Sequence, residues 1–189
     1  MPHITVPNGA PGTLGPFTAF PEQAQAMRGL AEAFLRSPSL LSLADREVIA
    51  THVSHGNRCH FCTQSHAAAA RALLGAEHAV MDEVLATGAV QGNEKLSALL
   101  VIADQVREGG RSVTAEAIER ARAAGAGDEE IHHTVGIAAA FCMFNRYVDG
   151  LATEAPKDPA DYVQMGQGMA ANGYLKRARE AAQSEESLS

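Results

Sequence analysis

Cys59, Cys62 and His66 are the residues of this chain whose types and spacing could support chemistry on their own, and Glu47 lies twelve residues before the first cysteine. The stretch reads Glu47-Val-Ile-Ala-Thr-His-Val-Ser-His-Gly-Asn-Arg-Cys59-His60-Phe61-Cys62-Thr63-Gln64-Ser65-His66. On a helix, residues three and four apart share a face. Cys59 and Cys62 can then join in a disulfide with little backbone change, and His66 can reach the Cys62 sulfur. The Gly56-Asn57 break puts both cysteines in the first turns of a new helix predicted over 57–74. Unpaired N–H groups and a partial positive charge there favour the thiolate, which is the reactive form. Glu47 falls on the preceding helix. From there a carboxylate can orient His66, while the histidine moves a proton to or from sulfur.

That chemistry is dithiol redox, which requires no cofactor and no metal. The competing use of the same residues is a zinc site, with Cys59, Cys62 and His66 as ligands and His52 or His55 as the fourth. Structural zinc usually ties loops together, whereas these ligands sit on adjoining helices that need no tie, so redox is the stronger reading. His55, eight residues after Glu47, and His60 are the candidates for supporting the four core residues from behind. His132 and His133 read as partly solvent-facing. Cys142, among Ala139, Ala140, Phe141 and Met143, reads as a buried inert thiol. Arg146 and Asp149 are spaced for a local pair.

The elements that must position these side chains are helical. The chain has 189 residues, 46% hydrophobic and 20% charged, which suits one soluble globular domain whose core needs no disulfide staples. Five prolines (Pro2, Pro7, Pro11, Pro16, Pro21) with Gly9, Gly12 and Gly15 make residues 1–20 an extended arm rather than a helix. Helical periodicity then dominates over 21–155. The first segment runs from Pro21 to before Pro38, with Ala26, Leu30, Ala33 and Phe34 on its apolar face. Others start near Ser42, Asn57, residue 77, Asn93, Thr114 and Asp128. A weaker helical extension covers 156–189, from Asp158 to about Gln183, before a frayed Ser/Glu tail. No alternating β-branched run supports a strand. The expected fold is all-α, a bundle of about six to eight helices.

Whole-chain properties narrow the function. A net charge of −7 argues against a nucleic-acid binder. No apolar run is long enough to span a bilayer, and the N-terminal residues lack a signal-peptide pattern, so neither a membrane nor export is expected. Cytoplasm is the default compartment, and structural disulfides are rare there.

The spacing of Glu47, Cys59, Cys62 and His66 resembles the signature of the alkyl hydroperoxidase D-like branch of the carboxymuconolactone decarboxylase family. Arg36-Ser-Pro-Ser-Leu-Leu-Ser, Glu94-Lys-Leu-Ser-Ala-Leu-Leu and Phe144-Asn145-Arg146-x-x-Asp149-Gly150-Leu151 are similar to its peroxidase-related subgroup. The resemblance covers roughly residues 20–155. It implies an all-helical AhpD-like subunit that assembles into homo-trimers or hexamers, with the cysteines near a subunit interface. It also implies peroxide reduction, in which Cys62 attacks and Cys59 resolves. Glu47 and His66 would relay protons, and an external dithiol protein would be the reductant. The family's peroxidases often carry histidine immediately before the second cysteine; here that place holds Phe61, and the histidine is His60. Two other functions compete. One is a carboxymuconolactone-type lactone decarboxylation, which has no use for a dithiol; the other is a non-enzymatic oligomeric protein that senses redox state or binds a partner.

Overall fold

A computed structural model describes residues 1–175, the Asn8 side chain excepted. Nine α-helices and three short 3-10 turns make up its regular structure, with no strand among the described residues. In order the helices are α1 (Leu14–Ala19), α2 (Pro21–Leu35), α3 (Leu43–Gly56), α4 (His60–Leu74), α5 (Val80–Thr87), α6 (Glu94–Glu108), α7 (Ala115–Ala123), α8 (Asp128–Gly150) and α9 (Pro159–Asn172). None is long and apolar enough to cross a membrane.

The ninth helix is α1, which falls where extended chain is expected. Its proline, Pro16, lies in the first turn, where a missing N–H removes no intrahelical bond. The arm is also anchored: the Gly12 N–H donates to the Glu154 carbonyl (2.8 Å) and the His3 N–H to that of Leu151 (2.9 Å).

Helix α3 is the axis of the bundle. Every residue from Arg46 to Ser54 is buried, and α4, α6 and α8 pack around it. A helix enclosed on all sides must supply partners for its polar groups. Arg46, at its start, donates to the carbonyls of Phe34 and Ser37 and so closes the α2–α3 connection. Glu47 is wholly enclosed and points into the site described below.

Three elements depart from their expected course. In α2 the buried residues are Ala24, Ala31 and Leu35, while Ala26 and Ala33 face solvent; alanine is too small to mark a buried face by itself. Helix α4 starts at His60, because Arg58 takes a left-handed φ of 61° and Cys59 is extended as the N-cap. Helix α9 stops at Asn172, where Gly173 adopts φ 66° and its N–H closes on the Met169 carbonyl. The continuous helix expected to Gln183 therefore breaks at Gly173, and the part from 176 onward lies outside the described residues.

Helices α4 and α9 approach closely through small residues, as the alanine run Ala67–Ala70 requires. A methyl group placed on Gly166 would lie 2.4 Å from the Ala68 carbonyl carbon and 2.7 Å from the Ala69 nitrogen. Backbone cannot step aside as a side chain can. Gly166→Ala is therefore expected to destabilise the protein by about 1–3 kcal/mol, despite the better intrinsic helix propensity of alanine. A lowered urea midpoint at unchanged slope is the measurement, and an unchanged or raised midpoint would contradict the close approach.

Candidate active site

The corner between α3 and α4 is built so that Cys59 leads into a helix and Cys62 sits in its first turn. The Cys59 N–H donates to the Ser54 carbonyl (3.0 Å), and the Cys59 carbonyl accepts from the Thr63 hydroxyl (2.8 Å). Asn145 of α8 braces this corner. Its side-chain NH2 donates to Ser54 Oγ (3.0 Å), and its Oδ1 accepts from Asn57 Nδ2 (2.9 Å). The Phe144-Asn145-Arg146 segment thus serves the cysteine loop from the far side of the bundle. Arg146 does not serve as the local partner expected for Asp149; it is exposed and turns back to the Cys142 carbonyl. Cys142 is half-buried, and its sulfur receives a contact from Asn57.

Cys59 and Cys62 are both free thiols and both buried, at 0% and 3% exposure. They do not occupy one continuous helical stripe as the spacing suggests, because Cys59 is the cap residue outside the first turn. The thiols nevertheless meet. A hydrogen bond with Cys62, followed by burial and the charge of Cys62, pushes the Cys59 thiol far above its ordinary value. Of the pair, Cys59 therefore keeps its proton.

His66, one turn after Cys62, reaches Glu47 of α3, with Nδ1 at 2.7 Å from Oε2. The same carboxylate accepts at Oε1 from Arg36 Nη2 (2.6 Å) and from the Tyr174 hydroxyl (2.7 Å). Burial by itself would raise the Glu47 carboxyl. The charge and hydrogen bond of His66, together with Arg36 and Tyr174, outweigh burial and hold it below the usual carboxylate range. A carboxylate only accepts, so the proton between the two groups belongs to His66 Nδ1, and Nε2 is the ring nitrogen that Glu47 does not engage. Burial and the neighbouring Glu47 push the Tyr174 phenol well up, which keeps it a donor. Phe141 meets the His66 ring edge-on at 4.6 Å, and Tyr174 stacks beside it, so the imidazole plane is held from two directions.

Cys62 and His66 open on a cavity of about 120 Å³. Phe17 of α1, Phe61, Phe141, Phe144 and Met165 give it an apolar wall. Cys59 does not line this cavity. It lies in a separate apolar cluster with Val148 and Tyr162. One sulfur therefore faces the cavity while the other stands behind it.

The four core residues thus converge, whereas the two supporting histidines do not. His55 is exposed. Eight residues along a helix of 3.6 per turn end about 80° away from the starting face, enough to carry His55 out of the face that Glu47 occupies. His60 is exposed too, and meets Tyr162 edge-on on the side of α4 away from His66. Phe61, in the place where the family often has histidine, turns inward and contributes ring surface to the cavity. His52, a zinc candidate by sequence, approaches Asp104 at 3.0 Å instead. Among the described residues, no three His, Cys, Asp or Glu side chains are grouped to hold a metal ion.

Two members of the site went unnoticed in the sequence. Arg36 lies just after α2, and Tyr174 just beyond α9, where the Gly173 turn and an N–H bond to Glu32 Oε2 (2.7 Å) aim it inward. No spacing rule links either residue to Glu47, and only the packing of α9 against α4 brings Tyr174 in.

Residues 21–105 match the family model described as the carboxymuconolactone decarboxylase family. The fold is similar to the alkylhydroperoxidase AhpD core of an uncharacterized peroxidase-related protein from Ralstonia eutropha JMP134. That pair has TM-score 0.73 at 22% identity, covering 84% of this chain and 82% of the other. An uncharacterized peroxidase-related protein from Silicibacter sp. TM1040 is similar with TM-score 0.70 at 25% identity, covering 81% of this chain and 78% of the other. No curated protein matches the chain significantly. The family match thus falls on residues 21–105, which include Glu47, Cys59, Cys62 and His66, and the fold of the chain is AhpD-like.

Proposed function

We propose that this protein is a thiol-dependent peroxidase, a dithiol–disulfide oxidoreductase that reduces hydrogen peroxide or organic hydroperoxides through Cys59 and Cys62. The observation that carries the reading is the Glu47–His66 pair, 2.7 Å apart, set beside Cys62 at an apolar cavity with Cys59 behind it. The description of the Silicibacter relative as peroxidase-related points the same way.

His66 Nε2 takes the Cys62 proton, and Glu47 stabilises the resulting imidazolium. The Cys62 thiolate attacks one peroxide oxygen, and the O–O bond breaks. The departing water or alcohol recovers a proton from His66, leaving Cys62 as a sulfenic acid. Cys59, which has kept its proton, gives it up as its sulfur attacks that of Cys62. Water leaves, and the disulfide forms. An external dithiol, or two equivalents of a monothiol, restores the pair. The apolar wall of the cavity limits water around the sulfenic acid while this exchange takes place.

The reading is tested by titrating the fully reduced protein with hydrogen peroxide and with cumene hydroperoxide under anaerobic conditions. Each equivalent consumed is expected to remove two thiols per subunit and to yield a Cys59–Cys62 disulfide by peptide mass. Loss of one thiol, or a disulfide involving Cys142, contradicts the proposed pair.

A further inference from the structure

A second opening approaches the dithiol from the opposite side, and its chemistry differs from that of the apolar cavity. It is a groove of about 640 Å³ between the outer face of α4 and the start of α9. His60, Arg71, His78 and Lys157 line it, and no carboxylate does so among the described residues. Arg71 is paired with Asp82 at 2.6 Å; Lys157, on the loop before α9, is exposed. In a chain with net charge −7, a groove of this composition favours an anion. Its volume suits a small molecule. The groove and the cavity share no lining residue.

Tyr162 forms the wall between this groove and Cys59. It lines the groove, and it also packs in the cluster that holds Cys59, Cys62 and Val148. The residue is only 7% exposed, yet its hydroxyl is buried with no hydrogen-bond partner among the described residues. An orphaned buried hydroxyl favours any rearrangement that gives it a partner. Swinging the ring toward the groove would satisfy the hydroxyl and uncover Cys59 together.

We infer that the α4/α9 groove is the reductant site, taking a low-molecular-weight thiol that carries negative charge and delivering it past Tyr162 to Cys59. The inference rests on the dithiol reading of the preceding section. The incoming thiol ionises and its sulfur attacks Cys59 Sγ. The new S–S bond forms as the Cys59–Cys62 bond breaks. The electron pair leaves on Cys62, which takes up a proton beside His66. A second thiol then attacks the sulfur of the first and releases it as the small-molecule disulfide, and Cys59 leaves as a thiolate and is protonated. Two thiols are oxidised and one protein disulfide is reduced. Peroxide and reductant thus use separate routes, so neither must wait for the other to clear the same cavity.

The test begins with the protein oxidised by diamide, so that it does not depend on peroxide turnover. Reduction is followed by quenching with N-ethylmaleimide and measuring intact mass, using glutathione as the anionic probe and 2-mercaptoethanol as the neutral one. In Lys157→Glu the ratio of the glutathione rate to the 2-mercaptoethanol rate is expected to fall at least fivefold. In the unaltered protein, raising the salt concentration should shrink the same ratio. Tyr162→Ala is expected to speed reduction by both thiols, and the trapped glutathione adduct should map to Cys59. An unchanged ratio in Lys157→Glu, or an adduct on Cys62, would overturn the groove assignment alone. If diamide gives no Cys59–Cys62 disulfide, the dithiol reading itself fails and takes the groove assignment with it.

Discussion

Replacing Cys62 with serine is expected to lower the rate of peroxide consumption by about three orders of magnitude or more. A hydroxyl at that place has neither the acidity nor the nucleophilicity of a thiol, and no other thiol among the described residues lines the cavity. Cys59→Ser separates the two roles. It leaves Cys62 beside His66, so one equivalent of peroxide is still consumed per subunit, but the sulfenic acid has no neighbour to resolve it. The expected product is a single dimedone adduct at Cys62, with turnover halted after the first cycle. In excess peroxide that residue advances to the sulfinic acid. The outcome is asymmetric because the arrangement is asymmetric: Cys62 lines the cavity, whereas Cys59 lies in the apolar cluster with Val148 and Tyr162 and holds its proton. If Cys62→Ser consumed peroxide at the unaltered rate, or if dimedone labelled Cys59 in the unaltered protein, the assignment would be reversed or lost.

Much of this site is legible from local spacing. Cys62 and His66 are one turn apart, and a helix must bring them together. The Gly56-Asn57 break and the Ser42 capping box define α3 and α4, and the meeting of Glu47 with His66 follows once those two helices pack. What local spacing cannot convey is fixed by long-range packing. Tyr174 stands 127 residues from Glu47 and reaches it only because Gly166 lets α9 lie against α4 and Gly173 then turns the chain. Cys59 is a cap rather than a helical residue because Arg58 is left-handed, which neither residue type advertises. His55 misleads for a simpler reason. A count of eight residues looks like two turns, but the accumulated angle on a fully enclosed helix is enough to decide between core and solvent. The arm misleads because proline excludes the middle of a helix and not its first turn.

Glu47→Gln is expected to cost both activity and stability, and pH separates the two. Glutamine keeps the size of the side chain but has no charge. The His66 imidazolium then forms without a counter-ion, and the wrong amide face can offer an N–H to Nδ1. The loss in catalytic rate should be about 10²–10⁴-fold. Arg36 is the second casualty. Its side chain is 8% exposed, and Glu47 is its partner at 2.6 Å. A buried charge left without its counter-ion costs about 3–5 kcal/mol, so Glu47→Gln, which retains an acceptor oxygen, should cost about 3 kcal/mol, the lower end of that range. Tyr174→Phe removes only a hydrogen bond to the same oxygen and should cost about 1–3 kcal/mol while keeping the Glu47–His66 contact. It is thus the control for the charge. The pH dependence follows from the lowered carboxyl of Glu47. A group whose folded value is depressed contributes stability that is fully present above its unfolded value, about 4.3 for glutamate. That stability is lost as pH falls through the folded value. The difference in unfolding free energy between the unaltered protein and Glu47→Gln should therefore be constant from neutral pH to about pH 5 and shrink below it. A difference that stayed constant down to pH 3, or grew there, would mean that Glu47 is not the ionised anchor of the site.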